Sequence, residues 1–286
     1  MANLKELRNR ITSVSSTMQI TSAMKMVSAA KLNKAQMAIT AMRPYADKLT
    51  ELLQNLSASL DGDSASTYAE QREVNKVLVV AIASNRGLAG AFNSNIIKAV
   101  RNLSENEYAT QQVDFYTIGK KVNDVVAKTH IVVANKNDIY DDLSFTNVAT
   151  VAEELMHMFT TGAYDKIVIV YNKFRNAASQ DVTTEQFLPI VPIEGDAITS
   201  ADYIFEPSKE EIVEQLIPKS LKTQLYKAIR DSFASEHGAR MTAMHKATDN
   251  ATELRDSLKL SYNKARQAAI TNEILEIVGG AEALNS

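Results

Sequence analysis

The chain has 286 residues, no Cys and no Trp, and a formal net charge of −3. The missing thiols exclude disulfide and thiol chemistry. No apolar run approaches the ~20 residues that span a bilayer, and the start MANLKELRNR carries charges where a signal peptide needs an apolar core, so no direct membrane insertion is expected.

The chain opens on a run from Ala2 to Arg43 with neither Gly nor Pro, which predicts one long helix. Stepping alternately by three and four from Leu4 gives Leu7, Ile11, Val14, Met18, Thr21, Lys25, Ser28, Leu32, Ala35, Ile39, Met42, Ala46, Leu49, Leu53, Leu56 and Leu60, the seam of a coiled coil. Thr21, Lys25 and Ser28 interrupt it. Around that interruption Ile20, Met24 and Val27 carry the apolar stripe on a displaced line, so this stretch is expected to face a different neighbour. Residues 1–60 hold 8 Lys+Arg against 3 Asp+Glu. The basic residues stand singly between apolar positions without aromatic interleaving, a pattern that argues against nucleic-acid binding.

From 61 to 207 the material changes, with 12 Lys+Arg against 20 Asp+Glu. After the loose stretch DGDSAST (61–67), the apolar run KVLVVAIAS (76–84) predicts a buried strand, followed by a Gly-containing turn and a helix. VDFYTIG (113–119), IVVAN (131–135) and KIVIVYNKF (166–174) predict further strands, with a helix from Val148 to Thr161, and DVTTEQFLPIVPI (181–193) a Pro-marked edge strand. Alternating strands and helices predict a central Rossmann-like α/β domain with a mostly parallel sheet.

The turn SNRGLAG (84–90) joins a buried strand to a helix N-terminus, where phosphates bind in many α/β proteins. It matches neither GxGxxG nor GxxxxGK[ST], and the next strand ends without an acidic ribose ligand. Gly87 and Gly90 are therefore read as the residues that permit a tight turn. His130, His157, His237 and His245 have no metal-ligand spacing, and Asp141, Asp142, Glu153 and Glu154 form no acid/base pair. No catalytic residue, cofactor or metal is expected in this chain.

The last segment, 208–286, holds 11 Lys+Arg and 11 Asp+Glu. Ser208 and Glu211 form a capping box, Pro218 predicts a kink or fresh start, and from Lys219 to Val278 only Gly238 breaks the helical run. Met244, Ala247, Ala251, Leu254, Leu258, Ser261, Ala265, Ala268, Asn272 and Leu275 form its seam, with small residues that allow close backbone approach. Because both helices are rooted at the middle domain, they must pair antiparallel. The fold class is thus α/β with a long antiparallel coiled coil of terminal helices: 1–60, a central domain 61–207, and 208–286. At about 1.5 Å per residue, ~60 helical residues make a rod of roughly 90 Å, far beyond the radius of gyration of about 19 Å for a compact chain of this length. The longer return helix overhangs, leaving Ile270, Ile274, Leu275, Ile277, Val278 and Leu284 uncovered, a tip that calls for another protein around it.

ITSAMKMVSAAKL (20–32), ARMTAMHKATDNA (239–251) and YNKARQAAITNEILEIVGGAEAL (262–284) resemble the gamma subunit of the F-type ATP synthase, bacterial type. SNRGLAGAFN (84–93) is similar to that family's strand-to-helix turn, with Asn85, Ala89 and Ala91 where Asp, Cys and Gly are frequent; the absence of Cys excludes the thiol-regulated plant form. The resemblance implies a rotor shaft whose coiled coil stands inside a hexamer of alternating alpha and beta subunits. Its α/β domain rests on the membrane c-ring beside the epsilon subunit, on the cytoplasmic side of the cell (inner) membrane. Turning with the ring, it couples hydrogen ion transport to ATP synthesis in the beta subunits without catalysing anything itself. Arg240, Gln267, Thr271 and Glu273 match family positions that contact the beta subunits' mobile loops, with Arg240 and Glu273 expected on exposed helix faces. The seam break leaves Met24 and Lys25 free to meet the surrounding ring, and Ile270, Ile274, Leu275, Ile277 and Val278 form the bearing tip. The alternatives are a hinge-type structural protein, whose coiled-coil arms would be far longer and heptad-pure, and a nucleotide-dependent α/β enzyme, which needs a phosphate loop this sequence lacks.

Overall fold

A computed structural model describes residues 4–57, 67–190 and 209–285. Helix α1 spans Leu4–Ser57 and helix α5 spans Lys209–Asn285, 77 residues. Between them lie β1 (Lys76–Ile82), α2 (Phe92–Asn102) running into a π-turn (Leu103–Glu107), β2 (Gln112–Ile118), α3 (Lys120–Val126), β3 (Val132–Asn135), α4 (Phe145–Thr160), β4 (Lys166–Phe174) and β5 (Gln180–Leu188). The expected capping residue Ser208, and residues 191–193 of the expected last strand, lie outside the described residues. Pro218 neither ends nor restarts α5: the helix is continuous across it. Proline removes one ladder donor, and the flanking turns make up for it by burying Ile217 and Leu221 in the core.

Packing groups the chain into two compact units, Met1–Ser28 with Met241–Ser286, and Ala29–Arg240. The second unit contains one five-stranded sheet of order β3-β2-β1-β4-β5. β1 pairs in parallel with β2 (Val79↔Phe115) and β4 (Val79↔Val168), β3 is parallel to β2, and β5 closes the other edge antiparallel to β4. β1 shows no polar alternation because both of its faces are covered. Leu78, Val80 and Ile82 pack against Val148, Ala152, Leu155 and Phe159 of α4 and Leu221, Leu225, Ala228 and Ile229 of α5. On the opposite face Val77, Val79 and Ala81 meet Ile96 and Val100 of α2 and Val122 and Val126 of α3. Ser144 caps α4 by accepting from the Asn147 amide at 3.4 Å. Gly119, at φ 113°, has to be glycine: a Cβ there would stand 2.1 Å from the Ala83 carbonyl oxygen. From α1 this unit buries Leu32, Ala35, Ile39, Ala46 and Leu49, the seam positions expected from their spacing.

The first unit is two helical segments running antiparallel, since Thr248 of α5 donates to Thr21 (2.8 Å) whereas Thr252 and Arg255, further on, meet Met18. Thr21 and Ser28 do not break its seam, whereas Lys25 and Met24 are both half-buried. Thr21 and Ser28 are buried, at 8% and 2% exposure, and Ile20 and Val27, expected to carry a displaced stripe, are 60% and 58% exposed. The hydroxyls make this possible by donating back to the helix, Thr21 Oγ1 to Met18 O at 3.1 Å and Ser28 Oγ to Met24 O at 2.7 Å, which removes the penalty of burying them.

Candidate functional site

In a sheet of this order the strand sequence reverses between β1 and β4, and the crevice at their carboxyl ends is where α/β proteins hold ligands. The turn that leaves β1 is pinned by Ser84, whose amide and hydroxyl both lie near Asn93 Oδ1 (3.1 and 3.0 Å) and whose hydroxyl donates to Arg86 O at 2.6 Å. The left-handed positions are Leu88 (φ 61°) and Gly90 (φ 56°), so of the two glycines read as permitting the turn only Gly90 has a positive φ. Leu88 holds that conformation against its Cβ and is 65% exposed.

The crevice is filled by the chain's own helix. Ala89 and Phe92 form a buried cluster with Ala239 of α5. Ser235 Oγ donates to Asn172 O at 2.9 Å, and Asn172 Nδ2 to Phe92 O at 3.3 Å, which closes the ends of β4 and α2 together. Gly238 lets α5 come close: a Cβ there would lie 3.2 Å from the Cα and O of Ala177. Arg240 Nη2 then donates to the carbonyls of Arg86 (3.1 Å) and Gly87 (3.3 Å), and Nη1 to Glu236 Oε1 at 2.6 Å. A phosphate requires converging donors, whereas this turn offers Arg240 two carbonyl oxygens.

Electrostatically the cluster is buried and charge-matched. Burial pushes the Glu236 carboxyl above its usual range against the pull of Arg240, Lys31 and Arg86. Burial, then Arg240 and Lys31, hold His237 down at about 3, so the imidazole is neutral and packs edge-on against Phe233 at 4.5 Å. Arg240 is 7% exposed, which corrects the expectation of an exposed helix face. The signal missed was local: Glu236 sits four residues before Arg240, the spacing of a helical ion pair, and ASEHGA supplies the small residues of a close approach.

The other nominated residues belong to the first unit. Met24 and Lys25 are half-buried, whereas every residue from Arg266 to Ala281 is exposed, Gln267, Thr271 and Glu273 included. Gln267 and Thr271 share one face, Thr271 Oγ1 donating to Gln267 O at 3.0 Å. Ile270, Ile274, Leu275, Ile277 and Val278 are 45–66% exposed, as the overhang argument expects; the side chain of Leu284 lies outside the described residues. Arg240 belongs to the second unit. A polar cleft beside α4, lined by Lys136, Asp138 and Glu154, is internally satisfied: Glu154 accepts from Lys136 Nζ and Tyr116 Oη, each at 2.7 Å. Among the described residues no group of His, Asp and Glu could hold a metal ion, and no helix is long and apolar enough to cross a membrane.

A family model described as ATP synthase matches residues 3–284. The chain is 73% identical over 286 residues to the ATP synthase gamma chain of Flavobacterium johnsoniae, covering 100% of both, and 72% identical over 285 residues to that of Flavobacterium psychrophilum, covering 99% of both. Among solved structures it resembles a chain of the Euglena gracilis mitochondrial ATP synthase (OSCP/F1/c-ring, rotational state 3), with a TM-score of 0.70 and 25% identity over 98% of this chain and 94% of that one. A chain in the rotor of the same enzyme in rotational state 1 matches at TM-score 0.66 and 23% identity, covering 93% and 98%. The chain belongs to the ATP synthase gamma chain family, the non-catalytic central-stalk rotor subunits of that enzyme.

Proposed function

We propose that this chain turns inside a hexamer of alpha and beta subunits, driven by proton flow through a membrane c-ring on which its sheet-containing unit rests beside an epsilon subunit. The complex sits at the cytoplasmic face of the cell (inner) membrane, and the chain is a peripheral member of it. Coupling works by differential contact: each beta conformation meets a different face of the turning helices, so rotation biases the equilibrium among open, loose and tight states. The observation that carries this reading is the set of exposed apolar residues Ile270, Ile274, Leu275, Ile277 and Val278 in the stretch of α5 from Arg266 to Ala281 that is exposed throughout, a surface that asks for a sleeve.

Gln267, Thr271 and Glu273 are proposed to touch the beta subunits directly from this exposed stretch, and Met24 and Lys25 from α1. Arg240 enters through the turn at 86–87 that its guanidinium holds. The test is reconstitution. A complex lacking this chain, returned to vesicles with a c-ring, should make ATP from a proton gradient only when the full chain is added back, and truncation before Ile270 should lower that rate severalfold. ATP synthesis at the full rate without the chain would overturn the proposal.

A further inference from the structure

In the paired helices of the first unit the thioether of Met18 is held by unusual neighbours. Arg255 Nη1 lies 3.4 Å from Met18 Sδ, while its Nε and Nη2 are taken by Asp256 Oδ1, each at 2.9 Å. Thr252 Oγ1 is also 3.4 Å from the sulfur, although its single proton is shared with Thr248 O at 2.9 Å. A thioether is a weak acceptor. A charged guanidinium donor aimed at one across a helix interface is therefore poorly matched, and Met18 is only half-buried, so a small oxidant has access to it.

We propose that Met18 is a site of reversible oxidation to methionine sulfoxide, and that the oxidised side chain ties α1 to α5 more firmly than the thioether does. With hydrogen peroxide as oxidant, a sulfur lone pair attacks one peroxide oxygen, the S–O bond forms as the O–O bond breaks, and water leaves. Sulfur loses two electrons and the peroxide gains them. The new oxygen is a strong, polarised acceptor, and Arg255 Nη1 and Thr252 Oγ1 already face the atom that carries it, so a weak contact from the charged guanidinium becomes a strong charge-assisted hydrogen bond. The usual result of oxidising a methionine in a helix interface is disruption. Here the sign is reversed, because the donors stand on the opposite helix.

The test uses the full chain treated with graded hydrogen peroxide, with peptide mass mapping to read each methionine and amide hydrogen exchange to read the helices. Met26 and Met37, 65% and 67% exposed, are internal references. Met18 should gain one oxygen at peroxide doses within about tenfold of those that oxidise the references, side chains differing from it mainly in exposure. Exchange over residues 11–25 and 248–260 should then slow severalfold, and methionine sulfoxide reductase should restore it. In Arg255→Met the same oxidation should speed exchange, and in Met18→Leu peroxide should leave it unchanged. The proposal is overturned if Met18 stays reduced while both references are fully converted, if its oxidation accelerates exchange, or if Arg255→Met leaves the slowing intact.

Discussion

Arg240 and Glu236 form a buried pair, and the consequences of removing one partner differ from those of removing both. Arg240→Ala leaves a buried carboxylate beside two carbonyls and should destabilise the second unit by about 3 kcal/mol or more, whereas Arg240→Met combined with Glu236→Gln should recover most of that loss. A double-mutant cycle in urea measures the difference, and additive effects would disprove the coupling. His237 gives this unit an acid limit. Its folded value, about 3, lies below the ordinary 6.5, so its contribution is complete above pH 6.5 and falls away as the unfolded chain takes up protons on the way down to about pH 3. Glu236, shifted upward, runs the other way: its contribution is complete below 4.5 and is lost as pH rises through its folded value. His237→Phe should therefore flatten the loss of stability between pH 6 and pH 4, read from urea midpoints at each pH. At this scale the sequence misled for a physical reason. Thr21 and Ser28 read as breaks because polarity alone marks them, and nothing in a spacing argument shows a hydroxyl returning to its own backbone; Arg240 read as exposed because its two carbonyl partners lie 153 and 154 residues away in the chain.

Helices and strands were more legible, since each announces itself through a period. The runs at 76–84, 113–119 and 166–174 are β1, β2 and β4, and the antiparallel edge strand appears where Pro marked it, as β5. Sheet order was not legible. Placing β4 beside β1 depends on which faces the helices cover, and that is settled only in three dimensions. Two predictions belong to elements. Nothing lies within 4 Å of a Cβ added at Gly279 or Gly280, so replacing both with Ala should stabilise the end of α5 by about 1 kcal/mol each, seen as slower amide exchange from 274 to 282. Ala251 is 8% exposed in the helix pair, and Ala251→Pro removes a ladder bond and clashes with the preceding turn at about 3 kcal/mol. ATP synthesis in reconstituted vesicles should fall even where the complex assembles; a variant shown to be bent, fully assembled and fully active would rule out torque transmission through this segment.

For the whole molecule, the division of contacts makes a further prediction. The unit Ala29–Arg240 contains the entire sheet, and residues 270–285 lie in the other unit, so deleting the chain from Ile270 onward should leave exchange protection across β1–β5 unchanged while assembly weakens. Loss of protection in the strands would mean the tip contributes to the sheet's core. The same division shows why function was legible only through resemblance. Among the described residues no group of His, Asp and Glu could hold a metal ion, and a chain that acts by being turned carries its meaning in what surrounds it.

The exposed apolar stretch of α5 also bears on how the cell must make this protein. Before assembly, Ile270, Ile274, Leu275, Ile277 and Val278 face water, and such surfaces recruit chaperones, proteases or one another. On the proposed function, a copy synthesised without enough of the surrounding subunits to receive it should therefore be short-lived or aggregate. The abundance of the chain should follow that of its sleeve rather than its own message level, and doubling its expression alone should yield degraded or insoluble protein instead of more rotors.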